Sequence, residues 1–462
     1  MIPMTLAEIA TVVGGETTEP DVVVSAPAFL DSREPLPGGL FVAIAGEHVD
    51  GHEFAQAAVT GGAAAVLGSR ATGVPTVVVA DAQAALQALA RHVLRRLRTI
   101  HPDLQVVALT GSQGKTSTKD LIAAVLQQAG PTVATYGSFN NELGLPLTVL
   151  RADPETRFLV LEMGARGIGH IAELCAIAPP DVALVLNVGT AHLGEFGSRE
   201  AIAKAKGELV EALAPDGVAV LNLDDPLVAA MSPRTRAPVR TFGYGVGADV
   251  RLHDVGTDEL GRVRFDLAHH KKRAHVRMRV LGEHQAINAA AAAAAALLLG
   301  LELDEIARAL EAVPSLSKWR MELHERADGM VVVNDAYNAN PDSTAAALRT
   351  LAGIGARTGR PTVAVLGVMR ELGETSDAEH IRIGALAAEL GIGRLVVVGE
   401  DARPIADGYP GAAFAASVDD AVADVRNNAD GTAVVLVKAS RAAGLERVAH
   451  ALLDEESKEE GP

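Results

Sequence analysis

Along most of the chain, short runs of consecutive apolar residues alternate with longer stretches in which apolar residues recur every three to four positions. The runs read as strands buried on both faces and the stretches as helices packed on them, the alternation that builds a mostly parallel sheet. In the middle of the chain the strands fall at 104–109, 157–162, 183–187 and 218–223, with a helix at 119–128 and a long helical pattern at 83–98 leading in. After Pro314 the rhythm begins again, with strands at 331–334, 362–366, 395–398 and 433–437, each followed by a helical stretch. That predicts a doubly wound, Rossmann-like domain. The first 85 residues carry shorter elements: strands at 22–29, 40–45 and 76–80, a Pro/Gly turn at 35–39 and a helix at 52–60. Residues 240–281 change to short alternating strands with a basic patch at 269–273, which reads as a solvated loop, before an alanine-rich helix that ends at Gly300. The expected fold is α/β in three domains: a small N-terminal α/β domain (1–85), a central parallel-sheet domain with a β-rich edge (86–314), and the Rossmann-like C-terminal domain (315–462). The acidic tail 454–462 is expected to fray.

A chain of 462 residues is too long for one core and fits about three domains of ordinary size. The net charge of −17 argues against a nucleic-acid partner, which needs a basic face to displace phosphate counterions. Any anionic ligand must therefore meet local positive charge. Cys175 is the only cysteine, so no disulfide framework or thiolate cluster can form; within the apolar stretch 171–177 it reads as a buried structural thiol. The longest apolar run, 289–299, is too short to span a bilayer, and no charged, then apolar, leader opens the chain. We read a cytoplasmic protein without membrane insertion.

The strand at 104–109 runs into Thr110-Gly111-Ser112-Gln113-Gly114-Lys115-Thr116-Ser117 and then a helix. Strand, glycine turn and helix in that order make a phosphate cradle, because the first amide groups and the positive dipole end of a helix attract an anion. Gly111 and Gly114 let the backbone approach phosphate oxygens, Lys115 supplies a point charge, and Thr116 places a hydroxyl where magnesium would sit. Leu109 stands where the full Walker pattern has its first glycine. The expected ligand is ATP, which makes the central sheet P-loop ATPase-like.

Ligand sites in open parallel sheets lie at the carboxyl ends of the strands, where further polar clusters fall. Glu162 follows an apolar strand and suits a magnesium ion, or else caps a helix. His192, after Asn187-Val188-Gly189-Thr190-Ala191, is either a metal ligand or satisfies a loop carbonyl. Lys204, Lys206 and Glu208 share a helix that reads as a solvated charged face; a lysine held neutral by burial would instead add carbon dioxide and become an anionic carbamate. Three polar loops at neighbouring strand ends of the third domain, 334–341, 369–374 and 438–441, suggest one site. Arg320 offers a guanidinium suited to the γ-phosphate.

Together these segments resemble the Mur ligase family over nearly the whole chain. The resemblance implies that residues 110–117 hold ATP, that Thr116, Glu162, His192 and a carbamylated Lys206 serve two magnesium ions, that Asn288 in Gly282-Glu283-His284-Gln285-Ala286-Ile287-Asn288 contacts adenine, and that Arg320 and Asp335 contact the nucleotide. Asp31-Ser32-Arg33, Gly39-Leu40-Phe41 and Asp50-Gly51-His52 resemble the family's uridine-diphosphate-binding domain, which assigns Ser32 and Arg33 to the substrate. Asn140-Asn141-Glu142-Leu143-Gly144 and Asp335-Ala336-Tyr337-Asn338-Ala339-Asn340-Pro341 are similar to the branch that joins D-alanyl-D-alanine to UDP-N-acetylmuramoyl-tripeptide through an acyl phosphate, with Asn140, Asn141, Tyr337, Asn338 and Asn340 on the substrates. The Asp-Asn-Pro-Arg segment of diaminopimelate-adding members is absent. Lys318-Trp319-Arg320 replaces the family's more usual Gly-Arg. A monomer is expected; the alternatives are another amide ligase of the family or a silent nucleotide-binding regulator.

Overall fold

The computed structural model describes residues 1–46, 49–137, 139–189, 196–316 and 318–454. They form two compact units, one of residues 1–251 with 290–302 and one of residues 252–289 with 303–462.

The first unit holds a two-stranded antiparallel pair, Met4–Thr5 with Val23–Val24, and two larger sheets. The smaller has five strands in the order Glu16–Thr17, Thr76–Val78, Ala65–Gly68, Leu40–Val42, Ala28–Phe29, parallel except for the first. The larger runs Val239–Gly243, Val218–Asn222, Val182–Val185, Gln105–Thr110, Phe158–Glu162, Thr132–Ala134, all parallel. Its strands Val182–Val185 and Phe158–Glu162 are buried along their whole length and Gln105–Thr110 from its second residue on, as expected of a sheet with helices on both faces. Helix Ala82–Ile100 starts at Asp81, whose carboxylate accepts from Gln83 and Ala84 amides at 2.9 and 3.0 Å. Its buried face, Leu86, Leu89, Val93 and Leu97, belongs to one core with Leu6 and Val77 of the small sheet region and Leu104 and Val106 of the large one. The two larger sheets of this unit thus share a core through one helix.

The second unit is built on the order Glu322–Glu325, Val331–Asp335, Val434–Lys438, Thr362–Leu366, Arg394–Val398, Ala413–Ala415, parallel except for the first strand. The last residues of its three middle strands lie in one row, Asp335 beside Lys438 and Lys438 beside Leu366. Helix Pro341–Thr358 is started by a capping box from Asn340 and by proline in its first turn. The region read as short alternating strands contains long ones: Arg262–His269 and Lys272–Leu281 pair antiparallel, with His270 and Lys271 at the tip. The basic patch is that tip, and Arg273 within it is paired with Asp254 and Asp266 at 2.5 and 2.6 Å. Leu260 and Leu281 of this region pack with Val331, Ile354 and Leu366.

No described helix is long and apolar enough to cross a membrane. Helix Ser376–Glu389 meets Pro404–Asp407 at a glycine contact: a Cβ on Gly384 would lie 1.9 Å from the Ile405 carbonyl oxygen, and one on Gly408 would lie 2.1 Å from that of Ile381. Backbone on both sides leaves no flexible group to yield. Gly384→Ala should lower unfolding free energy by about 1–3 kcal/mol, read as a lower urea midpoint with an unchanged slope.

Candidate functional site

The phosphate loop connects strand Gln105–Thr110 to helix Lys115–Leu126. That helix begins four residues before the reading at 119–128, because Gly114 at φ 76° turns the chain directly into it and the Thr118 amide already bonds the Gly114 carbonyl at 2.8 Å. The Lys115 ammonium reaches the Gly111 carbonyl at 2.9 Å, closing the loop on itself. Thr116 is buried.

Asn187 fixes the far side of the loop. Its Oδ1 accepts from the amides of Ser112 and Gln113 at 3.0 and 2.9 Å, and its Nδ2 donates to the Gln113 carbonyl at 3.0 Å. The Gly189 amide donates to Ser112 Oγ at 2.9 Å. The segment carrying Asn187 is tied down by Asn222, which donates to the Leu186 carbonyl, by Asp225, which accepts from the Val188 amide, and by Arg199 on the Val188 carbonyl. The sequence reading noted this strand end but gave Asn187 no role; an amide one residue past an apolar strand and opposite a glycine loop was the available signal.

Glu162 ends its strand in register with Leu109, one residue before the loop begins, and is 1% exposed. Its Oε1 accepts from Asn140 Nδ2 at 2.7 Å and its amide donates to Thr135 Oγ1 at 3.1 Å, whereas Oε2 is buried without a partner. A buried carboxylate oxygen left unsatisfied is costly, and a cation is the group that would satisfy it. The helix-cap reading of Glu162 fails, since the helix that follows, His170–Ile177, is capped by Glu208, which accepts from the Gly169 and Ala172 amides at 2.6 and 3.1 Å. Buried Lys119 braces the Glu162 site from behind, donating to the Thr135 carbonyl at 2.7 Å. Asn141 accepts from the Gly144 amide at 2.9 Å and so shapes the turn that presents Asn140.

On helix Arg199–Glu211 the solvated-face reading holds for Lys204, which is exposed, and fails for Lys206 and Glu208, which are 6% and 8% exposed. Burial, with the Lys115 charge adding to it, pushes the Lys206 ammonium down to about 7. The Arg234 guanidinium bonds the Ala203 and Lys204 carbonyls at 3.0 and 2.8 Å, lying against Gly207. Cys175 is buried, its thiol pushed up to about 12 by burial, with Sγ 3.7 Å from Met163 Sδ. His192 and Thr190 lie outside the described residues.

In the second unit, Asp335 Oδ2 accepts from Lys438 Nζ at 2.6 Å and its Oδ1 from the Met321 amide at 3.1 Å. Lys438, 2% exposed, also donates to the Asn338 carbonyl at 2.8 Å. Two of the three polar loops, at Asp335 and Lys438, therefore meet; the third joins them through the Arg370 amide on Ser440 Oγ at 3.0 Å. The sequence reading placed Lys438 in the polar loop 438–441 but not in an ion pair, because a lysine at a strand end shows its partner only once the strands are adjacent. The Arg320 guanidinium lies 4.4 Å over the Tyr337 ring, and its Nε is buried without a hydrogen bond. Asn288 is buried and donates to Gln285 Oε1 at 2.9 Å. Asn340 is used as the helix cap, and Arg33 is exposed and paired with Asp31 at 2.6 Å, beside Ser32. Among the described residues no group of three or more His, Cys, Asp or Glu side chains is arranged to hold a metal ion; the candidate donors here are Thr116, Glu162 and Lys206.

Three family models match the chain: the catalytic domain of the Mur ligase family over residues 29–102, the Mur ligase middle domain over 109–296 and the Mur ligase glutamate ligase domain over 319–441. The chain is 46% identical to the UDP-N-acetylmuramoyl-tripeptide--D-alanyl-D-alanine ligase of Mycobacterium bovis, covering 99% of both proteins. It is 36% identical to the ligase of that name from Escherichia coli, covering 98% of this chain and 99% of the relative. A crystal structure of MurF from Acinetobacter baumannii superposes with a TM-score of 0.87 at 32% identity, covering 98% and 99% of the two chains. MurF ligase from Thermotoga maritima in complex with ADP does so at 0.79 and 31%, covering 94% and 99%. With this three-domain α/β fold and full-length likeness to several of its ligases, the chain belongs to the Mur ligase family.

Proposed function

We propose that this protein joins D-alanyl-D-alanine to UDP-N-acetylmuramoyl-tripeptide, converting ATP to ADP and phosphate in the cytoplasm, as a monomer, to make the pentapeptide precursor of peptidoglycan. The observation that carries this reading is the full-length likeness, at 46% identity, to ligases of that name. The three-part division at residues 85 and 314 is part of the same proposal, with the first part taking the uridine-diphosphate end through Ser32 and Arg33.

In the first half-reaction a carboxylate oxygen of the tripeptide attacks the γ-phosphorus of ATP, the bond to the β,γ-bridging oxygen breaks, and ADP leaves an acyl phosphate behind. Both partners are anions, so the step needs positive charge in place beforehand. Lys115 and the first amides of the helix it opens supply it from this chain, with Asn187 holding the loop before them. Magnesium, when bound, would lend further charge neutralisation, and the residues fit it: the unpartnered Glu162 oxygen and the buried Thr116 are the donors, with His192 assigned by resemblance. Lys206 is buried and shifted toward its neutral amine, the form that adds carbon dioxide, so a carbamate there would turn a cation into an anionic metal ligand. In the second half-reaction the amine of D-alanyl-D-alanine attacks the acyl carbonyl, loses a proton, and phosphate departs from the tetrahedral intermediate. We assign Asn140, Asn141, Tyr337, Asn338 and Asn340 to the two peptide substrates, Asn288 to adenine, and Arg320 and Asp335 to the nucleotide.

Incubation with ATP, magnesium and UDP-N-acetylmuramoyl-tripeptide should release phosphate only when D-alanyl-D-alanine is added, with a UDP-pentapeptide by mass. Turnover instead with the dipeptide precursor and a free diamino acid would move the assignment to another branch. Lys206→Ala should lose activity and regain part of it in the presence of a short carboxylate; absence of rescue would count against the carbamate. The pH dependence of folding supplies an independent check. The folded chain releases the Lys206 proton near 7, whereas the unfolded chain holds it until about 10.5, so the unfolded state binds the extra proton between those values and this group's contribution to stability rises with pH across that window. In bicarbonate-free buffer, Lys206→Met should therefore flatten the rise in urea midpoint between about pH 7 and about pH 9.5.

A further inference from the structure

Arg320 sits between two residues held in the left-handed region, Trp319 at φ 61° and Met321 at φ 50°. This conformation is unfavourable for a large side chain and natural for glycine. Trp319 is also the only tryptophan of the chain. Something must keep a bulky indole where glycine would fit without strain, and its contacts show what that is. The Arg441 guanidinium lies 4.1 Å over the indole, and the His450 ring is 6.3 Å away on a tilt. The Trp319 carbonyl accepts from the Tyr337 amide at 3.1 Å, and the Tyr337 ring carries Arg320. Two guanidinium groups, from loops 121 positions apart in sequence, are thus seated on two aromatic rings joined by one backbone hydrogen bond, and the Nε of one is buried without a partner.

We propose that Trp319 is a positioning residue: its indole seats the Arg441 guanidinium, which also bonds Glu446 at 2.8 Å, while its carbonyl holds the Tyr337 backbone beneath Arg320, and the two guanidiniums engage the polyphosphate of a nucleotide. This rests on the assignment of Arg320 to the nucleotide given above. An indole is the strongest of the aromatic faces toward a cation, so the strained conformation is offset by the seat it provides. Glycine at 319 would relax the backbone and remove the seat.

Three variants and one optical signal test this in the full-length protein. Arg320→Ala should raise the KM for ATP. Trp319→Gly should raise it roughly three- to tenfold while its melting temperature stays level or rises, and Trp319→Phe should restore most of the wild-type value. A packing role alone would lower the melting temperature and leave KM unmoved. Titration of the wild type with magnesium ADP should change the emission of the single tryptophan saturably, and that change should vanish in Arg320→Ala, in which nucleotide binding measured by calorimetry persists. A raised KM in Arg320→Ala with a normal one in Trp319→Gly, or an emission unaffected by saturating ADP, would overturn the role of Trp319. A normal KM in Arg320→Ala would remove the nucleotide assignment itself and this proposal with it.

Discussion

A parallel sheet puts all its carboxyl ends on one edge, and the phosphate loop, Glu162, Asn187, Asp335 and Lys438 inherit their places from that constraint. Glu162 can stand beside the phosphate loop because its strand runs parallel to, and in register with, the strand that feeds the loop. Asn187 reaches the loop amides because its strand pairs on the other side of the same one. The second unit repeats the logic: Asp335 and Lys438 are the last residues of neighbouring parallel strands, and their ion pair is a direct product of register. A one-residue slip in either sheet would turn these side chains to the opposite face.

Each unit also holds groups that the interior tolerates poorly. Glu162 keeps one oxygen without a partner, Lys206 is pushed toward its neutral form, and Arg320 holds an unpartnered nitrogen over a ring. Natural proteins satisfy nearly all such atoms, so these three unsatisfied or discharged groups read as places kept ready for ligands. The structural polar groups behave differently: Glu208, Asp225, Asn340 and Ser417 each meet amide donors at the start of a helix.

Much of this was legible in the sequence, and the reasons differ by residue. The central strands of both large sheets were visible because burial on both faces leaves continuous apolar runs, whereas the half-buried edge strands Thr132–Ala134, Glu322–Glu325 and Ala413–Ala415 were not read; the phosphate loop was visible because its glycines and lysine have few other uses. The start of helix Lys115–Leu126 was missed because its first turn, Lys115-Thr116-Ser117-Thr118, is poor in helix formers and is fixed by Gly114 and the loop. The strand lengths of 240–281 were underestimated because one-sided alternation broken by turns looks like several short segments. Lys206 and Glu208 looked solvated because charge on a helix usually is; their burial is decided by what packs over the helix, which composition does not record. Lys438 and Asn187 each stood in a polar strand end that the sequence showed, but their partners did not follow from it, since these lie 103 and 74 or more positions away in sequence.

Glu208 spends both carboxylate oxygens on the amides of helix His170–Ile177. It is the nearest acid along the helix from Lys206, two positions away, and its engagement elsewhere leaves that lysine with no recorded carboxylate partner among the described residues. In a chain with seventeen more acidic than basic side chains, the fold has sheltered one amine from all that negative charge. Burial and the Lys115 charge set the potential there, with the nearest acid along the helix already claimed by backbone amides, so a surplus of acid in the whole molecule is compatible with a site where a lysine is pushed toward its neutral form.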